Sequence, residues 1–129
     1  MPDYRISVRR THALVANPAR LAASLSARLV GLLRHDHLEP DEGLVLPACQ
    51  SVHTWFMRFP IDLVFVDRRW RVVALQPSVR PWRFSPWVVQ AWGVIELAAG
   101  TVERLHLQVG DELTAAPVEP AAQPISFEN

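Results

Sequence analysis

Apolar and polar residues follow one another in a pattern that indicates several short β-strands. Residues 4–8 alternate between apolar and polar types, as expected for a strand with one buried face. The short apolar runs 43–47 (GLVLP) and 93–97 (GVIEL) predict buried strands. Two longer apolar runs, 61–67 and 71–77, are joined by a tight polar turn and therefore predict a β-hairpin.

A helical pattern occurs in the N-terminal half. Leucines recur at spacings of three and four from Leu21 to Leu33, which predicts one principal helix over residues 24–34. The pattern leaves residues 18–23 undecided between helix and other structure. A short second helical turn is predicted at 101–105. Together these elements predict an α+β fold that is mainly β.

Length and C-terminal composition indicate the domain organisation. A chain of 129 residues is expected to form one domain. Residues 115–129 are rich in Ala and Pro and have no periodicity, which is typical of disorder. We therefore predict a single globular domain over 1–114, followed by a disordered tail.

Composition excludes several classes of function. The chain has 13 arginines and 13 acidic residues, and a net charge of zero argues against a general nucleic-acid binder. The absence of lysine excludes Schiff-base chemistry and a phosphate-loop lysine. No cofactor is indicated, and no apolar run approaches the roughly 20 residues of a membrane span. Neither a signal peptide nor an internal disulfide is indicated, so we expect a cytoplasmic protein.

Charge is unevenly distributed along the chain. The segment from Arg68 to Arg83 contains five arginines and no acid. From Glu96 onward there are six acids and one arginine. Two interpretations are open: these segments pair across the folded domain, or the arginines form a local anion site.

A possible metal-ligand set occurs between two of the predicted strands. Cys49, His53 and Met57 recur every four residues and supply the soft ligands that copper(I) prefers. Four residues span about 13 Å along a strand, which is too far for two ligands to share one ion. We therefore interpret Cys49 and Met57 as core residues and predict no metal site, with Cys49 and His53 as weak metal candidates.

Asp62 lies within a strand that is otherwise apolar. It shares a strand face with the valines two and four positions further on. A buried carboxylate requires a partner, because an unpaired buried charge costs several kcal/mol. The partner would be a backbone amide or an arginine such as Arg58 or Arg83, which would hold the proline-rich loop in place.

Glu96 repeats this arrangement as the single acid of a second predicted strand. If the two strands are neighbours, Asp62 and Glu96 would line one pocket with His53. Two carboxylates and a histidine suit acid–base chemistry.

Three tryptophans lie in the segment that follows the hairpin. Trp82, Trp87 and Trp92 are spaced five apart, which matches neither a strand face nor a helix face. Because prolines interrupt this segment, we predict an ordered loop packed by its own aromatic residues. Exposed tryptophans beside Arg80 or Arg83 would instead resemble an anion or sugar site.

Four segments, in order, resemble the family called domain of unknown function 192, or UPF 0127. They are RLVGLLRHDHLEPDEGLVL, CQSVHTWFMRFPIDLVFVD, RVVALQPSVRPWR and VIELAAGTVERLHLQVGDEL, and they cover about residues 24–113. The resemblance implies a compact sheet or partly closed barrel with one principal helix, and it implies no activity. The Cys-x-x-Val-His-Thr motif at 49–54 resembles one subgroup of the family. The family pattern falls on Arg28, Gly31, Leu32, Gly43, Met57, Ile61, Asp62, Phe65, Glu96, Gly100, Gly110 and Asp111.

Two hypotheses of function follow from these residues. The first is a non-enzymatic binding or accessory module for a small polar or anionic ligand, or for a protein segment. Its predicted ligand-binding residues are His53, Met57, Asp62, Trp82 and Arg83. The alternative is a hydrolase-type enzyme, possibly assisted by a metal, whose candidate catalytic residues are His53, Asp62 and Glu96.

Overall fold

A computed structural model of the protein describes residues 3–22, 38–55 and 57–118. The strands are β1 (Asp3–Val8), β2 (Leu14–Leu21), β3 (Gly43–Pro47), β4 (Ile61–Val66), β5 (Val72–Val79), β6 (Gly93–Ala98) and β7 (Leu113–Pro117). Within these ranges the helix α1 spans Thr101–Arg104. The described part of the chain is therefore mainly β with very little helix.

The strands form one sheet in the order β5-β4-β6-β3-β2-β1-β7. Neighbouring strands are antiparallel, except that β2 and β3 are parallel. The two outer strands approach each other at one end. There the Val72 amide donates to the Asp111 carbonyl at 2.8 Å, and the Leu113 amide donates to the Trp70 carbonyl at 2.9 Å. The sheet is thus a curled half-barrel, which confirms the mainly β part of the predicted fold.

Two apolar clusters lie on the two faces of this sheet. The inner core contains residues from both ends and from the middle of the sheet, so the sheet curls around it. Its members include Ile6, Val15, Val64, Ile95 and Leu113. The outer core lies on the opposite face and includes Leu44, Leu63, Phe65, Val94, Val52 and Met57. Since consecutive strand residues point to opposite faces, β4 and β6 contribute to both cores.

The predicted hairpin is confirmed. β4 and β5 pair antiparallel, with Val64 opposite Leu75. In the turn between them, Oδ1 of Asp67 accepts hydrogen bonds from the amides of Arg69 and Arg71 at 2.9 and 3.0 Å. β5 also includes Pro77, which a strand tolerates there because β5 is at the edge of the sheet.

The N-terminal segment is described up to residue 22 and again from residue 38. β2 runs through residues 18–21, which the pattern left undecided, and it pairs with both β1 and β3. The principal helix predicted over 24–34 lies outside the described residues. α1 has four residues and occupies part of the predicted turn at 101–105. No helix in the described ranges reaches the length and apolarity of a membrane span.

β7 extends the sheet past the predicted domain end at residue 114. It continues to Pro117, although its sequence, LTAAP, lacks a strong apolar alternation. Pairing with β1 orders it, because all five of its residues have a partner between Tyr4 and Val8. Residues 119–129, which make up most of the predicted tail, lie outside the described residues.

Candidate functional site

Two long loops cross the outer core side by side. Residues 49–60 connect β3 to β4, and residues 80–92 connect β5 to β6; we call them the paired loops. Backbone hydrogen bonds of 2.7–2.9 Å join them at intervals: Cys49 N to Trp92 O, Val88 N to Gln50 O, Ser85 N to Val52 O and Thr54 N to Arg83 O. The two loops therefore support each other as an irregular antiparallel pair.

Thr54 fixes the turn at residues 80–83 and has no exposed surface. Its Oγ1 donates to the Arg80 carbonyl at 2.6 Å and accepts from the Arg83 amide at 2.9 Å. Its carbonyl accepts from the Trp82 amide at 3.0 Å. Sequence reasoning assigned Thr54 no role, and the available signal was its place in the Cys-x-x-Val-His-Thr motif.

Trp82 has a left-handed backbone conformation, with φ of 64°. This conformation costs a side chain such as tryptophan about 1–2 kcal/mol. The contacts of Thr54 on both sides of Trp82 hold it there. Strain of this kind often occurs where a side chain must point in a specified direction.

Aromatic side chains cover the outer side of the paired loops. Trp55, Trp82, Phe84 and Trp87 are 39, 56, 68 and 70% exposed. The rings of His53, Trp55 and Phe84 form one group, in which the Trp55 and Phe84 centroids are 5.1 Å apart and those of His53 and Trp55 are 5.3 Å apart.

The prediction that the tryptophans pack beneath their loop is therefore wrong for two of the three. Trp92 packs against the inner core and lies 5.9 Å from the Trp70 ring. Trp82 and Trp87 are exposed instead, and Val52, Met57 and Ala91 make the contact between the loops and the outer core.

Two arginines border the exposed aromatic rings. Arg80 and Arg83 are exposed and line a cleft of about 400 Å³ together with Phe84 and the end of β5. Neither forms an ion pair with a carboxylate of the described residues. Of the five arginines between 68 and 83, Arg71 alone pairs with the acidic end of the described chain, through Glu112 at 3.4 Å. Within the described residues, the interpretation that the two charged segments pair across the domain thus holds for Arg71.

Asp62 is fully buried and accepts two backbone hydrogen bonds. Its Oδ1 accepts from the Ser78 amide, and its Oδ2 accepts from the Val102 amide, both at 2.8 Å. The Val102 amide belongs to the first turn of α1, where amides have no partner inside the helix. Of the two kinds of partner that the sequence left open, a backbone amide and an arginine, the structure has the backbone amide. Asp62 ties β5 and α1 to β4.

Glu96 is also fully buried, but it lies on the other face of the sheet. β4 and β6 are neighbours as the acid–base hypothesis required, and their register places Glu96 opposite Leu63 and Asp62 opposite Leu97. Because successive residues of a strand alternate between faces, the carboxylates of Asp62 and Glu96 point to opposite sides. The structure therefore does not bring these two acids into one pocket.

All three candidate soft ligands lie on the first of the paired loops, and Cys49 and Met57 both pack in the outer core. Cys49 Sγ donates to the Ser51 carbonyl at 3.0 Å. Met57 is 4% exposed within the outer core, and His53 belongs to the ring group described above. Among residues 3–22, 38–55 and 57–118, no group of three His, Cys, Asp or Glu side chains is arranged to hold a metal ion.

Comparison with known sequences assigns the chain to a family. Residues 6–115 match the family model DUF192, described as Uncharacterized ACR. The chain belongs to the DUF192 family. This confirms the predicted resemblance; membership of the Cys-x-x-Val-His-Thr subgroup stays a prediction.

Curated relatives of this DUF192 chain are UPF0127 proteins of archaea. It is 38% identical over 98 residues to a UPF0127 protein of Thermococcus sibiricus, a match that covers 73% of this chain and 63% of that protein. It is 32% identical over 100 residues to a UPF0127 protein of Pyrococcus horikoshii, covering 73% and 84% of the two chains. The match therefore spans less than two thirds of the Thermococcus sibiricus protein.

Solved structures share the fold of this DUF192 chain. A protein of unknown function from Novosphingobium aromaticivorans superposes with a TM-score of 0.71 at 20% identity, covering 88% of this chain and 84% of that one. A protein from Sinorhizobium meliloti superposes with a TM-score of 0.64 at 23% identity, covering 88% and 92%. At these identities the likeness concerns the fold alone.

Several positions of the DUF192 pattern have structural roles in this chain. Asp62 anchors α1, as described above. Gly100 and Gly110 have φ of 94° and 99°, in the left-handed region that glycine adopts at little cost. Asp111 accepts from the Gln108 amide at 2.9 Å. These positions maintain the half-barrel, whereas the exposed aromatic rings lie on the paired loops.

Proposed function

We propose that this DUF192 domain is a non-enzymatic binding module, and that it docks an acidic segment of a partner protein on the outer side of the paired loops. The observation that carries the proposal is the exposure of Trp82 and Phe84, 56 and 68%, on a framework that Thr54 holds in place. Arg80 and Arg83 lie beside them and are exposed.

The side-chain types on this surface are those of a protein interface. Tryptophan and arginine are enriched at the centres of such interfaces and dominate their binding energy, whereas lysine and acids are depleted there. Covering the exposed parts of Trp82 and Phe84 would remove about 250 Å² of apolar surface from water, which corresponds to about 6 kcal/mol. That is close to the lower estimates for the cost of association, so further contacts are required.

Charge indicates the remaining contacts. Arg80 and Arg83 are exposed, and neither forms an ion pair with a carboxylate of the described residues, so the surface is complementary to carboxylates. Guanidinium groups bind carboxylates through paired hydrogen bonds and add orientation as well as energy. The segment that fits this surface therefore has an apolar or aromatic residue with acidic residues on either side of it.

The proposal is tested by selecting a phage-displayed library of random peptides on the purified protein. Selected peptides are then titrated by fluorescence anisotropy against W82A/R83A. The matched control is V109A/R104A, which removes another exposed apolar residue, 62% exposed, and an exposed arginine outside the paired loops.

We expect selected peptides to carry acids around an apolar anchor. We expect their affinity to fall by at least about tenfold, or 1.4 kcal/mol, in W82A/R83A and to be unchanged in the control. Peptides without acids, or peptides that bind W82A/R83A as well as the parent protein, would overturn the proposal.

The hydrolase hypothesis required His53, Asp62 and Glu96 in one pocket. Asp62 and Glu96 face opposite sides of the sheet, and both oxygens of Asp62 accept from backbone amides. Asp62 and Glu96 thus do not form the shared pocket of that hypothesis, and a single function is proposed.

A further inference from the structure

A second cleft lies at the other end of the paired loops, where residues 87–92 meet the turn between β4 and β5. Its volume is about 630 Å³, within the range of small-molecule sites. The side chains with polar or aromatic groups that line it include Gln50, Arg68, Arg69, Trp87, Gln90 and Trp92. The docking proposal rests on Arg80, Trp82, Arg83 and Phe84, and none of these four lines this cleft.

The walls of this cleft are held by hydrogen bonds and packing. The Trp92 amide donates to the Val66 carbonyl at 2.8 Å, and the Trp92 ring packs against Trp70. Gln50 Nε2 donates to the Val89 carbonyl at 2.7 Å and so positions the turn at 89–90. Since Asp67 also closes the β4–β5 turn, the backbone on two sides of the cleft is held in place before any ligand arrives, which lowers the cost of binding.

The cleft combines positive charge with an exposed ring. Arg68 and Arg69 are exposed, and no carboxylate of the described chain lies within ion-pair distance of either. Asp67 also lines the cleft, but its Oδ1 accepts from two turn amides, so the arginines outnumber the acid. Trp87 is 70% exposed, so most of its indole is accessible to a ligand.

We propose that this cleft binds a small anionic ligand that carries both a phosphate or carboxylate group and a ring with a face able to stack on an indole. The guanidinium groups of Arg68 and Arg69 hold the anionic group through paired hydrogen bonds. The ring stacks on Trp87, as bases do on exposed aromatic residues. A nucleotide and an acidic sugar both have this chemistry, and the probes below distinguish them. The inference is independent of the proposed function, because it uses different residues.

The test is isothermal titration calorimetry at low salt with four probes: adenosine monophosphate, glucuronate, adenosine and inorganic phosphate. The variants are R68Q/R69Q, which removes the charges, and W87A, which removes the ring. W82A/R83Q is the control, because it alters the docking surface alone.

We expect adenosine monophosphate or glucuronate to bind more tightly than adenosine and phosphate. The variants R68Q/R69Q and W87A should each weaken that binding by about tenfold or more. W82A/R83Q should bind these ligands as the parent protein does. A failure of the small-ligand inference can therefore be told apart from a failure of the proposed docking function. The inference is overturned if neither anionic ring compound binds at millimolar concentration, if R68Q/R69Q binds unchanged, or if phosphate alone binds equally well.

Discussion

Replacing Asp62 with asparagine would remove one acceptor from a fully buried site without changing the size of the side chain. The amides of Ser78 and Val102 donate to different oxygens of Asp62, each at 2.8 Å. Asparagine keeps one carbonyl oxygen and places an NH2 group where the other oxygen was. One of the two backbone amides therefore meets a donor and loses its acceptor.

The cost follows from this geometry. A hydrogen bond to a charged group contributes about 1.5–3 kcal/mol, and a buried donor without an acceptor costs about 1–3 kcal/mol. We expect Asp62→Asn to lower the free energy of unfolding by about 2–4 kcal/mol. Domains of this size are stable by only about 5–15 kcal/mol, so this loss is a large part of the total. It should lower the melting temperature by about 10–20 °C.

Asp67→Asn is the matched control. Asp67 also accepts two backbone amides, but both donate to the same oxygen, Oδ1. The carbonyl oxygen of asparagine can therefore accept both bonds. The turn is also partly exposed to water. We expect this variant to stay within about 0.5 kcal/mol of the parent protein, as surface substitutions usually do.

Urea unfolding followed by far-ultraviolet circular dichroism measures the free energy of unfolding of both variants. An unchanged dependence of that free energy on urea concentration shows that the transition remains two-state. The structural role of Asp62 would be refuted if Asp62→Asn differed from the parent by less than about 0.5 kcal/mol. It would also be refuted if Asp67→Asn lost as much stability as Asp62→Asn.

Three other substitutions test the framework of the paired loops and the sheet. Thr54→Val removes a donor and an acceptor at a site with no exposed surface, and should cost about 2–4 kcal/mol in urea unfolding. Trp82→Gly removes the cost of the left-handed backbone conformation at φ 64°, because glycine adopts it readily. The melting temperature should therefore change by only a few degrees, whereas the affinity for the selected acidic peptides should be lost. Gly93→Ala would place a Cβ 2.7 Å from the Leu46 carbonyl and should cost about 1–3 kcal/mol in thermal unfolding. An unchanged midpoint for Thr54→Val or Gly93→Ala, or a large loss of stability in Trp82→Gly, would contradict these contacts.

The strands at the centre of the sheet could be predicted from sequence, because burial on both faces leaves continuous apolar runs. β3, β4 and β6 correspond to such runs. β7 could not be predicted in this way, since LTAAP has little apolar alternation and owes its order to pairing with β1. The strand is determined by a contact between the two ends of the chain, which no local pattern records.

The candidate site could be predicted only in part, for a related reason. The sequence indicated that Asp62 and Glu96 are buried on strands, and those strands are neighbours. Whether two residues on neighbouring strands share a face depends on the register, and a shift of one residue reverses the answer. The register here places Glu96 opposite Leu63, which separates the two acids.

In the paired loops, one set of residues holds the loops together and another set, the aromatic rings, is exposed. This division explains why two of the three tryptophans do not pack beneath the loop as predicted. A loop that relied on aromatic burial for its order would have to turn its rings inward. Here Thr54 and the backbone hydrogen bonds between the loops supply that order instead. Trp82 and Phe84 can then remain 56 and 68% exposed, since the fold does not depend on burying them. Substituting these rings should therefore change what the domain binds far more than how stably it folds.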